Sequence, residues 1–302
     1  MPFKKIATAS LVEPRLNTGD WEKMYGNRAF RGCHIDKDHP FCKTASMKKQ
    51  ADSSKYLLSH CTIMSSVAVE ADPFDFLIRP SSAHLVNNND DAWTSAVLKL
   101  SHRSFVGAFN FVEHFQNSKF AKGHILDTVL RKISLGPDPD DWVYFCDILV
   151  ATDLTHEKLV SDIRESKVRY LSMGCVTDLV ICSYCGAHVT DASTYCNHLQ
   201  FQKGTFLADD DGIPRRIAEL CGHKTMPNGG VKFVEASWVA TPAFPGAAKR
   251  SIVSEEWVGP KTPYTQKQSA ARSAFAMTAS ENMASEYANI LLGADLYGEL
   301  RR

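Results

Sequence analysis

Cys182, Cys185, Cys196 and His198 fall in the order C-x2-C-x10-C-x-H within "ICSYCGAHVTDASTYCNHL". A C-x-x-C knuckle brings two thiolates to one ion from a single turn, and a Cys3His set suits tetrahedral zinc with no open position, a structural ion. His188, Cys175, Cys221 and His223 are alternatives for the fourth ligand. A catalytic zinc would call for a short motif such as H-E-x-x-H, which the chain lacks. A second group of residues has the types for nucleophilic catalysis: Ser172 in "YLSMGC", His114 in "FNFVEHFQNSKF" and Glu235 in "VKFVEASWVATPAF". A serine hydroxyl attacks only when a base takes its proton and a third group orients that base. Taken singly, each has a plainer reading, as a small strand residue, a satisfied histidine and a solvent-facing strand residue.

Strands must carry these side chains. "YLLSHCTIMSSVAVE" and "DFLIRP" are rich in apolar and β-branched residues and predict paired strands from Tyr56 onward. "GHILDTVLRKISL" and "DWVYFCDILVAT" predict two strands joined by the turn "GPDPDD", and "VRYLSMGCVTDLVI" and "GGVKFVEASWVA" two more. In the last, Phe233, Glu235 and Ser237 alternate against Val234, Ala236 and Trp238. Amphipathic helices are expected in "DDAWTSAVLKLSHRSF", with Trp93, Val97, Leu98 and Leu100 apolar, in "LTHEKLVSDIRES" and in "SEYANILLGADLYGEL". Residues 1–55 show no sustained period and read as an arm; Cys33, His34, His39 and Cys42 within it make only a weak metal pattern. Residues 251–302 are Ala/Ser rich and read as a mobile tail.

With 302 residues and 44% hydrophobic content, the chain can bury a full core. Its zero net charge gives no field that would attract nucleic acid, and no Lys or Arg lies between Ile181 and Gln202 to meet phosphates. No apolar run is long enough to span a membrane, and the N-terminus lacks a signal-peptide core, so an intracellular protein is expected. Nine cysteines, clustered in part, point to reduced thiols and a metal more than to disulfides.

The ordered combination of three blocks resembles the prohead (capsid maturation) serine proteases of tailed phages, a family related in fold to the herpesvirus assemblins. The blocks are His114 ahead of "KGHILDTVL", the helix-then-strand "SDIRESKVRYLSMG", and "EASWVATPAFPGA", a Glu-x-Ser strand ending in Pro-Ala. The resemblance covers about residues 56–248. It implies Ser172 as nucleophile, His114 as general base and Glu235 as third member; because assemblins use a second histidine there, His223 is the alternate. It also implies an α+β fold with a β-rich, closed or nearly closed sheet flanked by helices. The domain would span 56–250, with a zinc-binding insert at about 176–225 that the smaller family members lack. Phage scaffold and major capsid proteins would be the substrates, inside the immature prohead in the host cytoplasm, with self-association and with self-cleavage after Glu281 or Glu286 in the tail. The competing readings are a zinc-bearing virion adaptor that binds coat or scaffold protein, and a cysteine hydrolase using Cys175. The latter is disfavoured because Cys175 lies on the opposite strand face from Ser172.

Overall fold

The computed structural model describes residues 3–6, 18–30, 39–42 and 55–253, with backbone alone for 3–6, 18 and 26–30. Its centre is a strand-rich barrel. Four long strands set its walls: β2 (Tyr56–Ser65), β5 (Gly123–Ser134), β6 (Trp142–Asp153) and β13 (Val231–Val239). With β4 (Phe109–Val112), β7 (Tyr170–Thr177) and β14 (Ala248–Ile252) they pair in the order β7-β13-β4-β5-β6-β2-β14. The pairing of Ala248 with Tyr170 closes the ring. β1 (Phe3–Ile6) lies antiparallel to the far end of β7, from Gly174 to Thr177. Closure requires curvature, which irregularities in the pairing of β2, β5 and β13 supply.

Alternation sends one row of each strand to a common core: Leu57, Cys61 and Ile63, Ile125, Cys146, Ile148 and Val150, Leu171, Met173 and Cys175, then Phe233, Ala236 and Trp238. Helix α2 (Ser95–Ser101) adds Val97 and Leu98, and Phe105 stacks on Phe233 at 4.2 Å. Helix α3 (Glu157–Arg164) contributes Val160 and Ile163 ahead of β7. Helix α1 (Thr18–Phe30) places Trp21 in a second core against Phe244, so this part of the N-terminal segment packs on the domain.

Several sequence expectations change in the structure. "DFLIRP" is not a strand: between Pro73 and Pro80 it makes turns and one bridge, Val69 to Ile78, before a 3₁₀ segment at Pro80–Leu85, since proline removes ladder donors. The helix expected over 90–105 is shorter. Asp91–Ala92 is a strand, β3, and Thr94 caps α2 by accepting the Val97 N–H. Trp93 therefore precedes the helix, and Leu100 is exposed. The alternation along β13 breaks at a bulge between Phe233 and Glu235, so Phe233 shares the inner face with Ala236 and Trp238. The "SEYANILLGADLYGEL" helix, Glu281 and Glu286 lie outside the described residues.

On the outer wall of β2, β5 and β6, Asp147 is fully buried and bonded to Arg131, to Thr62 at 2.7 Å and to His60 Nε2 at 3.1 Å, beneath Phe41. Burial opposes its charge, but the Arg131 guanidinium and His60 hold the carboxyl well below the usual range. A depressed folded-state value means that its stabilisation is complete above the unfolded value of about 4 and fades as pH falls below it. Asp147→Asn would leave the Arg131 charge buried without its counterion. The expected loss is about 3–5 kcal/mol by urea unfolding at pH 7, shrinking as the pH is lowered from 4. A variant as stable as the parent at pH 7 would contradict this account.

Candidate functional site

Three adjacent strands bring the candidate catalytic types to one face. β4 runs parallel to β13, and β13 antiparallel to β7. Their register sets Phe109, Glu235 and Gly174 in one cross-strand row, and Phe111, Ser237 and Ser172 in the next. Ala236, Trp238, Leu171, Met173 and Cys175 point inward, so these rows lie on the outside of the barrel. Cys175 is thereby in the core, away from Ser172.

His114 reaches this face through a sharp turn after β4. Glu113 and His114 both adopt left-handed backbone, with φ of 48° and 56°. The Glu113 N–H donates to the Trp238 carbonyl, and its carboxylate accepts the Ala240 N–H at 2.8 Å, pinning the turn over the end of β13. His114 Nδ1 then lies 2.5 Å from Glu235 Oε1. Both side chains are buried. Ser237 donates to the other oxygen, Oε2, at 2.5 Å, and Gln116 Nε2 to Oε1 at 3.2 Å. His114 Nε2 is buried with no hydrogen-bond partner.

Gly174 explains why the serine is followed two residues later by glycine. A Cβ there would come within 2.8 Å of Glu235 Oε1 and 3.0 Å of Gln116 Nε2. The missing side chain lets the carboxylate lie across β7, and only then can it meet His114. Ser172 is buried at the cross-strand position of Ser237 and lines a small hollow with Asn87, Leu85 and Phe244. Chemically, a carboxylate accepting from Nδ1–H selects the imidazole tautomer whose Nε2 carries the lone pair. That nitrogen can take a proton, and the carboxylate stabilises the imidazolium that results.

The structure brings His114 and Glu235 into contact and sets Ser172 on the same face. His223 is elsewhere: its Nδ1 is 2.8 Å from Thr225 Oγ1 and its Nε2 3.6 Å from Asp75. Sequence reasoning missed Ser237 and Gln116 as partners of the carboxylate. The Glu-x-Ser spacing was a readable signal for Ser237, because residues two apart share a strand face. Nothing in the sequence marks Gln116.

The Cys/His cluster forms a second centre, in a small module built mostly from residues between β7 and β13. Its sheet has the order β3-β12-β8-β9, where β8 is Val180–Cys182, β9 His188–Val189 and β12 Glu219–Cys221. A hairpin of β10 (Phe206–Ala208) and β11 (Pro214–Arg216) and helix α4 (Asn197–Phe201) complete it. Cys182 ends β8. The turn after it, closed by the Gly186 N–H on the Cys182 carbonyl with Gly186 at φ +69°, presents Cys185. Cys196 is the N-cap of α4 and His198 lies in its first turn.

One ligand atom from each of the four residues lies within 4.8 Å of the others. Tetrahedral thiolates about 2.3 Å from an ion stand roughly 3.8 Å apart, so a modest contraction completes a site. His198 Nδ1 is buried without a partner, and the Tyr184 and Cys185 N–H groups turn toward the Cys182 sulfur. These residues fit a metal ion. Burial pushes the Cys182 thiol up to about 12, while at Cys196 the Leu199 N–H and the neighbouring thiols outweigh burial and lower it. Cys175 and Cys221 are buried outside the cluster, and exposed His188 faces His223 at 5.8 Å. Of the weak N-terminal set, His39 accepts the Phe41 N–H and Cys42 packs with Leu149, while Cys33 and His34 lie outside the described residues.

Among the described residues, no helix is long and apolar enough to cross a membrane. Comparison with protein-family models, with curated proteins and with solved structures finds no match to this chain.

Proposed function

We propose that the chain is a serine endopeptidase in which Ser172 is the nucleophile, His114 the general base and Glu235 the group that orients it. The observation that carries this reading is the His114 Nδ1 contact with Glu235, which leaves Nε2 buried and unpartnered on the face that holds Ser172. Ser172 Oγ would attack the peptide carbonyl as its proton passes to Nε2. His114 then returns that proton to the leaving amine, and water, activated by the same nitrogen, releases the acyl group from Ser172. Ser237 and Gln116 hold the carboxylate in place throughout.

The resemblance to prohead proteases extends the proposal to substrates and setting: scaffold and major capsid proteins of an immature phage head in the host cytoplasm, with self-association and self-cleavage in the tail. The four-residue cluster is proposed to hold zinc in a structural role, since the protein supplies all four ligands and none is left for substrate.

Labelling tests the catalytic assignment. A serine-directed phosphonate should add its mass to the peptide carrying Ser172, and a thiol reagent should leave proteolysis intact. Loss of activity on thiol blocking without phosphonate uptake would point to a cysteine hydrolase. No uptake and no cleavage in a concentrated sample would favour a metal-bearing adaptor of the capsid.

A further inference from the structure

The segment that delivers His114 also exposes three aromatic rings. Phe109, Phe115 and Phe120 are 46%, 60% and 52% exposed. Phe109 shares the outward row of Glu235 and Gly174, and Phe115 directly follows His114. Phe115 packs edge-on against Phe120 at 5.2 Å, so each ring holds the other in the open position. Single exposed apolar residues are ordinary, but the packed Phe115–Phe120 pair next to His114, with Phe109 in the row of Glu235, sets exposed aromatic surface on both sides of one buried contact, which favours a partner.

The charges around the patch choose that partner. Lys119 and Lys122 lie on the same segment, and no described carboxylate pairs with either. Glu113, on the same segment, turns its carboxylate to the Ala240 N–H, and Asp153, whose N–H bonds to the Lys122 carbonyl, turns its own to Thr155. We infer that Phe109, Phe115 and Phe120, with Lys119 and Lys122, form a substrate subsite that seats a large apolar side chain of an extended acidic polypeptide. The inference rests on the endopeptidase reading of the adjoining site and names what that site selects. An extended strand alternates its side chains, so one apolar residue can enter the aromatic patch while neighbouring carboxylates meet the lysines.

Binding separates this inference from the catalytic one. Full-length Ser172→Ala protein is titrated into fluorescein-labelled eight-residue peptides, acidic throughout except for a central Phe, Leu or Ser, with anisotropy as readout. The Phe and Leu peptides should bind about tenfold or more tightly than the Ser peptide. Phe115→Ser with Phe120→Ser should erase that difference, and Lys119→Glu with Lys122→Glu should weaken all three peptides and flatten their salt dependence. Equal binding of the three peptides, no binding of any, or an unchanged preference in the double-Phe variant would overturn the subsite. If the preference holds while the wild-type chain cuts none of the peptides, the subsite stands as a docking surface and the endopeptidase reading falls. If the chain cuts all three with equal kcat/KM, the subsite falls and the enzyme stands.

Discussion

Replacing Ser172 or His114 by Ala should lower peptide-bond cleavage by about four powers of ten or more, with little change in thermal stability for Ser172→Ala and a measurable loss for His114→Ala, which takes one partner from the buried Glu235. Ser172→Ala removes one oxygen from a buried strand position and leaves the pairing with Ser237 in place. His114→Ala removes the nitrogen proposed to accept the serine proton and leaves Glu235 still bonded to Ser237 and Gln116. Glu235→Gln should cost nearly as much in rate: an amide that donates to Nδ1 favours the tautomer with Nε2 protonated, which cannot act as base. Gly174→Ala should fall between, at roughly a hundredfold, because the added Cβ meets the carboxylate at 2.8 Å and moves it without removing it. Cleavage of a capsid-derived substrate measures all four. Intact mass of the protein alone reads self-shortening after Glu281 or Glu286, which Ser172→Ala should lack. Near-normal proteolysis in Ser172→Ala or His114→Ala would end the assignment.

The order of these effects shows which parts of the site the sequence carried. Strands with strong alternation or long apolar runs, such as β5, β6 and β7, were legible because their patterns follow from having one face in a core. So was the Cys/His cluster, whose four side chains sit within 17 consecutive residues and need only one turn and one short helix to converge. The contact between His114 and Glu235 was not readable from spacing, since it depends on two left-handed residues after β4 and on a bulge in β13. Neither carries a glycine or proline to announce it. The same bulge defeated the alternation read across Phe233 and Glu235. β3 escaped notice because a two-residue strand has no period, and it pairs with β12, which lies far along the chain in the Cys/His module.

Removing the zinc that the cluster is proposed to hold, by chelation or by Cys185→Ser, should unfold the module before the barrel and lower the overall melting temperature. The module's own core is small: Val180, Cys182 and Val189 on strands two or three residues long, Leu199 on the short helix α4, and Ile217 just after β11. So little buried apolar surface does not offset the conformational entropy of ordering the loops, whereas thiolate ligation of a zinc ion contributes an apparent 10–16 kcal/mol in isolated zinc modules. The ties that remain without metal are the β3–β12 pairing, the packing of Ile181, Ala218 and Leu220 on the second core, and ion pairs. Lys203 bridges Asp91 and Glu219, and Arg216 meets Asp90 at 2.7 Å, so β11 and β12 should stay attached longer than the knuckle and α4. Hydrogen exchange resolves the sequence of events: amides from Cys182 to Leu199 should lose protection first, while Ile148 and Leu171 in the barrel keep theirs. Activity should decline only in step with stability, because the cluster belongs to a separate core from the His114 face. Zinc absent from the purified protein, with Cys182→Ser as the control, would defeat the proposal. Instant loss of cleavage on chelation with unchanged protection would instead make the ion catalytic, and the division of labour between Ser172 and the cysteines would have to be redrawn.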